Sequence, residues 1–375
     1  MRDIRRLGLM ILFCPLLLAT MGALPYVSVA AVNGLCVNPP EGTMGCATMY
    51  LMIGDAVAMA APGDTITVYP GTYTENLFLN RDLILAGVGA VIVNGGERGS
   101  VLVVNSGVTT RVSGIMLTNG GGYLPQADAL GMVGGGIYNL GTLTVTNCTV
   151  ANNHVSGSSG GNGGGIYNTG TLTIVNTTVS GNAALGTMGS GQGGGLYNMS
   201  GLVTVVNSTI VGNSAAGGGG AIANSAGMAL INSTITGNTA MIGTGGIALL
   251  DSGQGMTMDG TVVVLNRGSI NRDIAPTIII GSYNVVGGEG NSVTIRGNSN
   301  SVNGGDSGLA NDGILVTNGG PTQTVAVLPL GLTTMRAPTT CATDPSTGKP
   351  LSTDQRGVIR PQGGHCTIGA VQLMP

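Results

Sequence analysis

A near-repeat of about thirty residues is the feature that most constrains what this chain can fold into. The stretch "GGGIYNLGTLTVTNCTVANN" (134–153) is followed by "GGGIYNTGTLTIVNTTVSGN" (163–182), and looser copies occupy 193–213 and 219–238. The asparagines that close the four copies are 29, 31 and 25 residues apart. A constant unit with unequal spacing indicates a repeated structural element with insertions in one loop.

Apolar and polar residues alternate inside each copy. Leu143 and Val145 would face one way and Thr144 and Thr146 the other, which is the period of a strand. Two further short apolar segments in each copy predict a second and a third strand, with Gly and Asn at the corners. Three short strands per copy predict one coil of a single-stranded, right-handed parallel β-helix, and the chain has room for about ten coils. The predicted fold class is therefore all-β.

Stacked coils would bring equivalent residues into columns. The predicted inner apolar column consists of Leu143, Leu172, Val203 and Met228. A second column, of Tyr138, Tyr167 and Tyr197, is predicted to stack on one face. Each buried aliphatic side chain contributes about 1.5–3 kcal/mol, so the columns would supply an ample core.

One corner of the coil carries a repeated asparagine. Its members are Asn147, Asn176, Asn207 and Asn232. Asparagine tolerates the left-handed backbone of a tight corner, and stacked asparagines can hydrogen-bond along the stack. All four also match the Asn-x-Ser/Thr glycosylation pattern. We favour the structural role because the four recur at one place in the coil.

Changes in composition divide the chain into four segments. Residues 1–30 have a basic start, an apolar stretch and Ser28-Val29-Ala30, which predicts a signal peptide cleaved after Ala30; an uncleaved anchor is the alternative. Residues 31–62 are expected to form a cap, with Met49, Ile53, Val57 and Ala60 at helical spacing. Residues 63–336 form the predicted β-helix and 337–375 the C-terminal tail. No later segment is apolar enough to span a membrane.

Five cysteines follow the predicted cleavage site. Cys36 and Cys46 bracket a short loop, and Cys341 and Cys366 bracket much of the tail, so we predict these two disulfides in an exported protein. Cys148 is predicted to stay free and buried, because the matching positions of the other copies hold Thr or Ser.

Titratable residues are scarce. Charged residues make up 8% of the chain and the formal net charge is −3, so no basic surface for nucleic acid is expected. The coils carry one mixed-charge group, a candidate binding patch of Asp251, Asp259, Arg267, Arg272 and Asp273. A solvated loop face is its simpler interpretation. The sequence predicts no catalytic residue, cofactor or metal site.

Two further stretches carry a family resemblance. "GDAVAMAAPGDTITVYPGTYTENL" and the coils resemble the bacterial right-handed parallel β-helix proteins of the pectin-lyase-like superfamily. "LVTNGGPTQTVAVLPLG" and "STDQRGVIRPQGGHCTIGAVQ" are similar to the tail of the group called choice-of-anchor Q, and the "GGAI" and "ITGN" motifs are similar to polymorphic outer-membrane protein repeats. The resemblance implies an exported surface protein, usually without assigned chemistry, and we expect an adhesin-like role.

These observations favour a secreted or surface-exposed, non-catalytic β-helix that displays loops for binding. The expected partner is a polysaccharide or a cell-surface ligand. The alternative is a polysaccharide lyase or hydrolase of the pectin-lyase-like superfamily, because that fold also supports such enzymes.

Overall fold

The protein is described by a computed structural model. It describes residues 34–122, 132–157, 160–187, 189–251, 255–287, 291, 293–304, 308–310, 313–329, 331–335 and 337–373. The predicted signal peptide, 1–30, lies outside the described residues.

The N-terminal end combines two strands and one short helix. Strand Leu35–Val37 pairs in parallel with both Thr48–Tyr50 and Asp64–Val68, and the helix runs over Ile53–Met59. The helix is shorter than the sequence predicted. Met49, which was expected at its start, lies in the strand Thr48–Tyr50 and is 59% exposed. Glu75 explains the helix start: its carboxylate accepts hydrogen bonds from the first backbone N–H groups, Ile53 N (2.8 Å) and Gly54 N (2.7 Å).

Three ladders of parallel strands form the body, which confirms the parallel β-helix. The first ladder contains Leu35–Val37, Asp64–Val68, the first parts of Leu83–Asn94 and Thr109–Thr118, Thr142–Thr146, Thr171–Val175, Leu202–Val206, Gly227–Ile231, Met256–Asp259, Ile278–Ile280 and Thr294–Arg296. The second contains Gly71–Thr74, the last parts of the same two long strands, Thr149–Ala151, Thr178–Ser180, Thr209–Val211, Thr234–Thr236, Val262–Val264, Val285–Gly287 and Ser301–Gly304.

The third ladder closes the coil. It contains Leu77–Leu79, Leu102–Val104, Ile137–Asn139, Ile166–Asn168, Leu196–Asn198, Ile222–Asn224 and Ile247–Leu249. A smaller parallel sheet at one corner contains His154–Val155, Ala183–Ala184, Ser214–Ala215 and Thr239–Ala240.

The predicted columns are present. Leu143 pairs with Leu172, Leu172 with Val203 and Val203 with Met228, and all four side chains are buried. Tyr167 and Tyr197 stack with ring centroids 5.2 Å apart, while Tyr138 meets Tyr167 edge-on at 5.7 Å. The period-two pattern therefore assigned the inner and outer faces correctly in these coils.

The asparagine corner has the predicted backbone but not the predicted hydrogen bonds. Asn147, Asn176, Asn207 and Asn232 have φ of 52°, 49°, 46° and 44°, which is the left-handed region. Within the described chain no hydrogen bond joins one of these side chains to the next. Two other columns form the amide ladders. They are Asn139–Asn168–Asn198–Asn224, with Nδ2 to Oδ1 distances of 2.7, 2.9 and 2.8 Å, and Asn153–Asn182–Asn213–Asn238–Asn266, with distances of 3.0, 2.9, 2.9 and 2.8 Å.

The last part of the chain lies against the outside of the coils. Among the described residues, parallel pairing ends at Ser301–Gly304, earlier than the predicted end of the β-helix at 336. Leu315–Val316 then pairs antiparallel with Thr324–Val325, and a four-residue helix spans Leu332–Met335. The remaining described residues, 337–373, contain no named strand or helix.

Candidate functional site

The cysteines pair as predicted. Cys36–Cys46 and Cys341–Cys366 are disulfides with Cα–Cα distances of 5.6 and 5.3 Å, and Cys148 is free. Cys148 Sγ donates to the Thr146 carbonyl oxygen at 3.2 Å. Burial raises the pKa of this thiol to about 11, so it stays protonated and is a poor nucleophile at neutral pH. Cys148 is therefore a small core residue, as its position in the repeat indicated.

The charged residues predicted as one patch lie in different environments. Asp251, Arg267 and Arg272 are exposed, while Asp259 ends a strand of the first ladder and accepts a hydrogen bond from Ser282 N at 2.9 Å. Asp273 is buried, so the prediction that it belongs to a solvated patch is wrong. No ion pair joins these five residues; the ion pair within the described residues is Arg356–Asp354.

Asp273 extends the second amide ladder. Its Oδ1 accepts from Asn266 N (3.0 Å) and Asn266 Nδ2 (2.8 Å), and its Oδ2 accepts from Asn291 Nδ2 at 3.2 Å. Burial raises the pKa of this carboxyl to about 6, although these hydrogen bonds and nearby Arg272 oppose the shift. The role of Asp273 is structural, and the sequence signal for it was the asparagine at the same place in earlier coils.

A buried polar cluster organises the tail. The Asp354 carboxylate accepts hydrogen bonds from the backbone N–H of Arg356, Val358 and Gln372 at 2.8–2.9 Å and forms the ion pair with Arg356 at 2.7 Å. Arg360 donates to the carbonyl oxygens of Thr367 and Gly369. Burial lowers the pKa of Arg360 to about 10, so it remains charged at neutral pH. The tail motif "STDQRG" thus forms a local hydrogen-bonded structure around the Asp354 carboxylate.

Gln355 fastens that cluster to the coils. Its Oε1 accepts from Thr209 Oγ1 at 2.6 Å, and its Nε2 donates to Thr178 Oγ1 at 2.9 Å and to Thr322 Oγ1 at 2.8 Å. The apolar part of the same contact joins Cys341, Leu351 and Cys366 to coil residues Val206 and Ile231. Sequence reasoning missed this role, because the partners lie far apart in the chain.

A cavity of about 260 Å³ lies beside the tail disulfide, between tail and coil residues. It is lined by Asn232, Asp259, Gly260, Ser282, Tyr283, Pro338, Thr340, Cys341, Ala342, Thr343, Cys366 and Ile368. Asp259 is the one carboxylate in this lining. Glycoside cleavage by acid and base needs a pair of carboxyl groups, so this cavity lacks half of that arrangement.

A larger concavity, which we call the flank groove, lies between the second ladder and residues 313–323. Its volume is about 720 Å³. It is lined by Met116, Thr149, Ala151, Asn152, Ser180, Gly181, Val211, Gly212, Gly237, Gly313, Ile314, Leu315, Pro321, Thr322 and Gln323. None of these side chains titrates near neutral pH. The side chains of Thr149, Ser180 and Gln323 make no hydrogen bond within the described residues, so they can bind a ligand.

The described residues hold neither a cluster of metal ligands nor a membrane-spanning helix. They contain no group of three or more His, Cys, Asp or Glu side chains placed to hold a metal ion. Their helices include none that is long and apolar enough to cross a membrane.

Comparison with known proteins does not place the chain in a family. No family model and no curated protein matches the sequence. Among solved structures, the crystal structure of pectate lyase Pel9A is similar over 90% of this chain and 95% of that chain, with a TM-score of 0.43 and 16% identity. At this level the likeness carries no argument, and the fold is assigned from the strand pairing itself. The similarity of the tail to choice-of-anchor Q stays a prediction.

Proposed function

We propose that this protein is an exported, non-catalytic β-helix that binds a polysaccharide or a cell-surface ligand. The observation that carries the proposal is the lining of the flank groove, which offers hydroxyl, amide and backbone groups together with apolar side chains. Such groups donate and accept hydrogen bonds. They do not carry protons between substrate atoms at neutral pH, which bond cleavage in a sugar polymer requires.

The two disulfides support the export part of the proposal. Disulfides persist in oxidising compartments outside the cytosol, and Cys36–Cys46 and Cys341–Cys366 join residues near the two ends of the described chain. Surface display, with the choice-of-anchor Q tail and an adhesin-like role, is part of the same proposal. In this chain the tail residues that carry the resemblance pack on the coils.

A lyase or hydrolase is the second candidate, and Asp259 is the observation that favours it. Asp259 and Tyr283 both line the cavity beside the tail disulfide. Asp259 already accepts a hydrogen bond from Ser282 N, which explains its place structurally. We therefore place the enzyme second.

The test combines binding and turnover. Purified protein from residue 31 onward is applied to a glycan array and then incubated with pectate, alginate, xylan and glycosaminoglycans. We expect binding to at least one glycan and no new reducing ends or unsaturated products. Turnover that disappears in Asp259→Asn, but persists in the exposed control Asp251→Asn, would establish the enzyme instead. Absence of both binding and turnover would contradict both candidates.

A further inference from the structure

We infer that the flank groove binds an uncharged, hydroxyl-rich polysaccharide that lies along the axis of the β-helix. The inference rests on the proposed binding function and adds the site, the ligand class and the direction of the bound chain.

The groove runs along the stack of coils. Five successive coils each contribute one residue to its floor: Met116, Thr149, Ser180, Val211 and Gly237. Adjacent strands are about 4.8 Å apart, so the floor is about 19 Å long. A ligand lying on it passes one floor residue per coil, at intervals of about 4.8 Å, and two of the five residues, Thr149 and Ser180, carry hydroxyls.

The uncharged lining of the flank groove favours a neutral polymer over an anionic one. No Asp, Glu, His, Lys or Arg lines the groove, and the sequence has no Lys or Arg from Val112 to Asn266. A uronate or sulfated polymer would bring its negative charges to a surface without cations, next to a chain of net charge −3. A neutral chain avoids that cost, and Thr149, Ser180 and Gln323 can hydrogen-bond its hydroxyls.

The strand pairing excludes one mode of peptide binding. Thr178–Ser180 is hydrogen-bonded to Thr149–Ala151 on one side and to Thr209–Val211 on the other. The middle strands of the floor therefore present no free edge to which an extended peptide could add. Ile314, which is 62% exposed, and Met116 offer aliphatic surface for the C–H faces of sugar rings.

Two glycines keep the floor open. Gly212 and Gly237 have φ of 65° and 64°. A Cβ at Gly212 would have no atom within 4 Å, and one at Gly237 would meet only Val211 Cγ2, at 3.9 Å. A side chain added at Gly212 would therefore enter open space along the groove. Asn152, at the same place two coils earlier, shows that asparagine accepts this backbone, with φ of 55°.

The experiment compares ligand classes and variants in the full chain. Neutral probes are arabinoxylan, galactomannan and mixed-linkage β-glucan, and anionic probes are polygalacturonate, alginate and heparan sulfate. We expect binding to at least one neutral probe, with little change between low and 0.5 M salt. An uncharged ligand has no charge attraction to the protein that salt could screen, even where the Debye length falls to about 4 Å. Oligosaccharides of that probe should gain affinity with length up to about 19 Å.

Variants locate the site. Gly212→Asn should weaken binding at least tenfold by filling the groove, and Thr149→Val should weaken it roughly fivefold through one lost hydrogen bond. The matched control is Gly107→Asn: Gly107 has φ of 78°, and a Cβ there has no atom within 4 Å. Circular dichroism and unfolding curves show whether each variant is folded.

The outcomes separate this inference from the proposed function. Binding to anionic probes alone, or neutral binding that Gly212→Asn leaves unchanged while folded, overturns the inference and leaves the binding function standing. If Gly212→Asn does not fold, Thr149→Val and Ser180→Ala decide, since both only remove hydroxyls. Absence of binding to every probe overturns both.

Discussion

Leu265 has a backbone conformation that its side chain disfavours. Its φ is 60°, and the equivalent residues of earlier coils are Asn152, Gly181, Gly212 and Gly237. A left-handed conformation costs a residue with a Cβ about 1–2 kcal/mol, whereas glycine adopts it freely. The leucine side chain is 43% exposed, so packing offsets only part of that cost.

We therefore expect Leu265→Gly to stabilise the protein by about 1 kcal/mol. Urea unfolding followed by circular dichroism measures the change. Leu265→Ala is the matched control, because it removes the side chain but keeps the strained backbone, and it should not stabilise. Equal stabilisation by both variants would show that the exposed side chain, rather than the backbone, is unfavourable.

At the scale of the element, the amide ladder contains a carboxyl that the fold disfavours in its charged form. An asparagine in this ladder accepts from the previous coil through Oδ1 and donates onward through Nδ2, as Asn213 does to Asn238. Asp273 has no such donor and instead accepts from both Asn266 and Asn291. Its burial between these residues is the cause of its raised pKa.

The stability of the protein should therefore depend on the protonation of Asp273. Its pKa is about 6 in the folded protein and about 3.9 in an unfolded chain. The folded state holds the proton more tightly, so this contribution to stability is present below about pH 4 and is lost as pH rises to about 6. The free energy of unfolding is measured in urea from pH 4 to 7. Asp273→Asn should lack this decline in stability, whereas the exposed control Asp251→Asn should retain it. An unchanged pH dependence in Asp273→Asn would mean that other groups cause the decline.

At the scale of the whole molecule, the tail is held to the coils by a small set of buried polar contacts. Gln355 hydrogen-bonds Thr178, Thr209 and Thr322, and Asn207 Nδ2 donates to the Thr353 carbonyl oxygen at 2.8 Å. Buried hydroxyls that lose a partner each cost about 1–3 kcal/mol. The buried hydrogen bonds of Gln355 therefore contribute more to docking of the tail than the exposed charged side chains of the tail do.

We expect Gln355→Ala to destabilise the protein by about 3 kcal/mol and to expose the tail. Limited proteolysis of the native protein should then cleave within 337–373 faster than in the wild type, while the coils stay intact. Gln362→Ala, which removes a partly exposed glutamine of the same tail, is the control. If both variants are cleaved at the wild-type rate, the tail is held by its apolar contacts and disulfide instead.

The local pattern of the sequence determined much of this protein. Alternation in "TLTVT" sets which side chains face inward, and repetition brings each to the same depth in the next coil, so Leu143 and Leu172 could be paired without a structure. The two disulfides and the buried Cys148 followed from bracketing and from position in the repeat. Such features depend on residues that lie close together in the chain or at matching positions of neighbouring coils, and a local pattern and a repeat show both in the sequence.

The tertiary structure decided what depends on distant parts of the chain. Which asparagine column would form hydrogen bonds was not visible, because Asn147 and Asn153 both recur with the coil and only their side-chain directions differ. The flank groove exists because residues 313–323 return to coils formed far earlier, and Gln355 meets Thr209 across 146 residues. Asp273 is buried rather than in a solvated patch because it occupies the inward-facing ladder position that asparagine holds in earlier coils. The position of a side chain around a coil and the surface covered by the returning tail are set by three-dimensional packing, which the one-dimensional repeat does not contain.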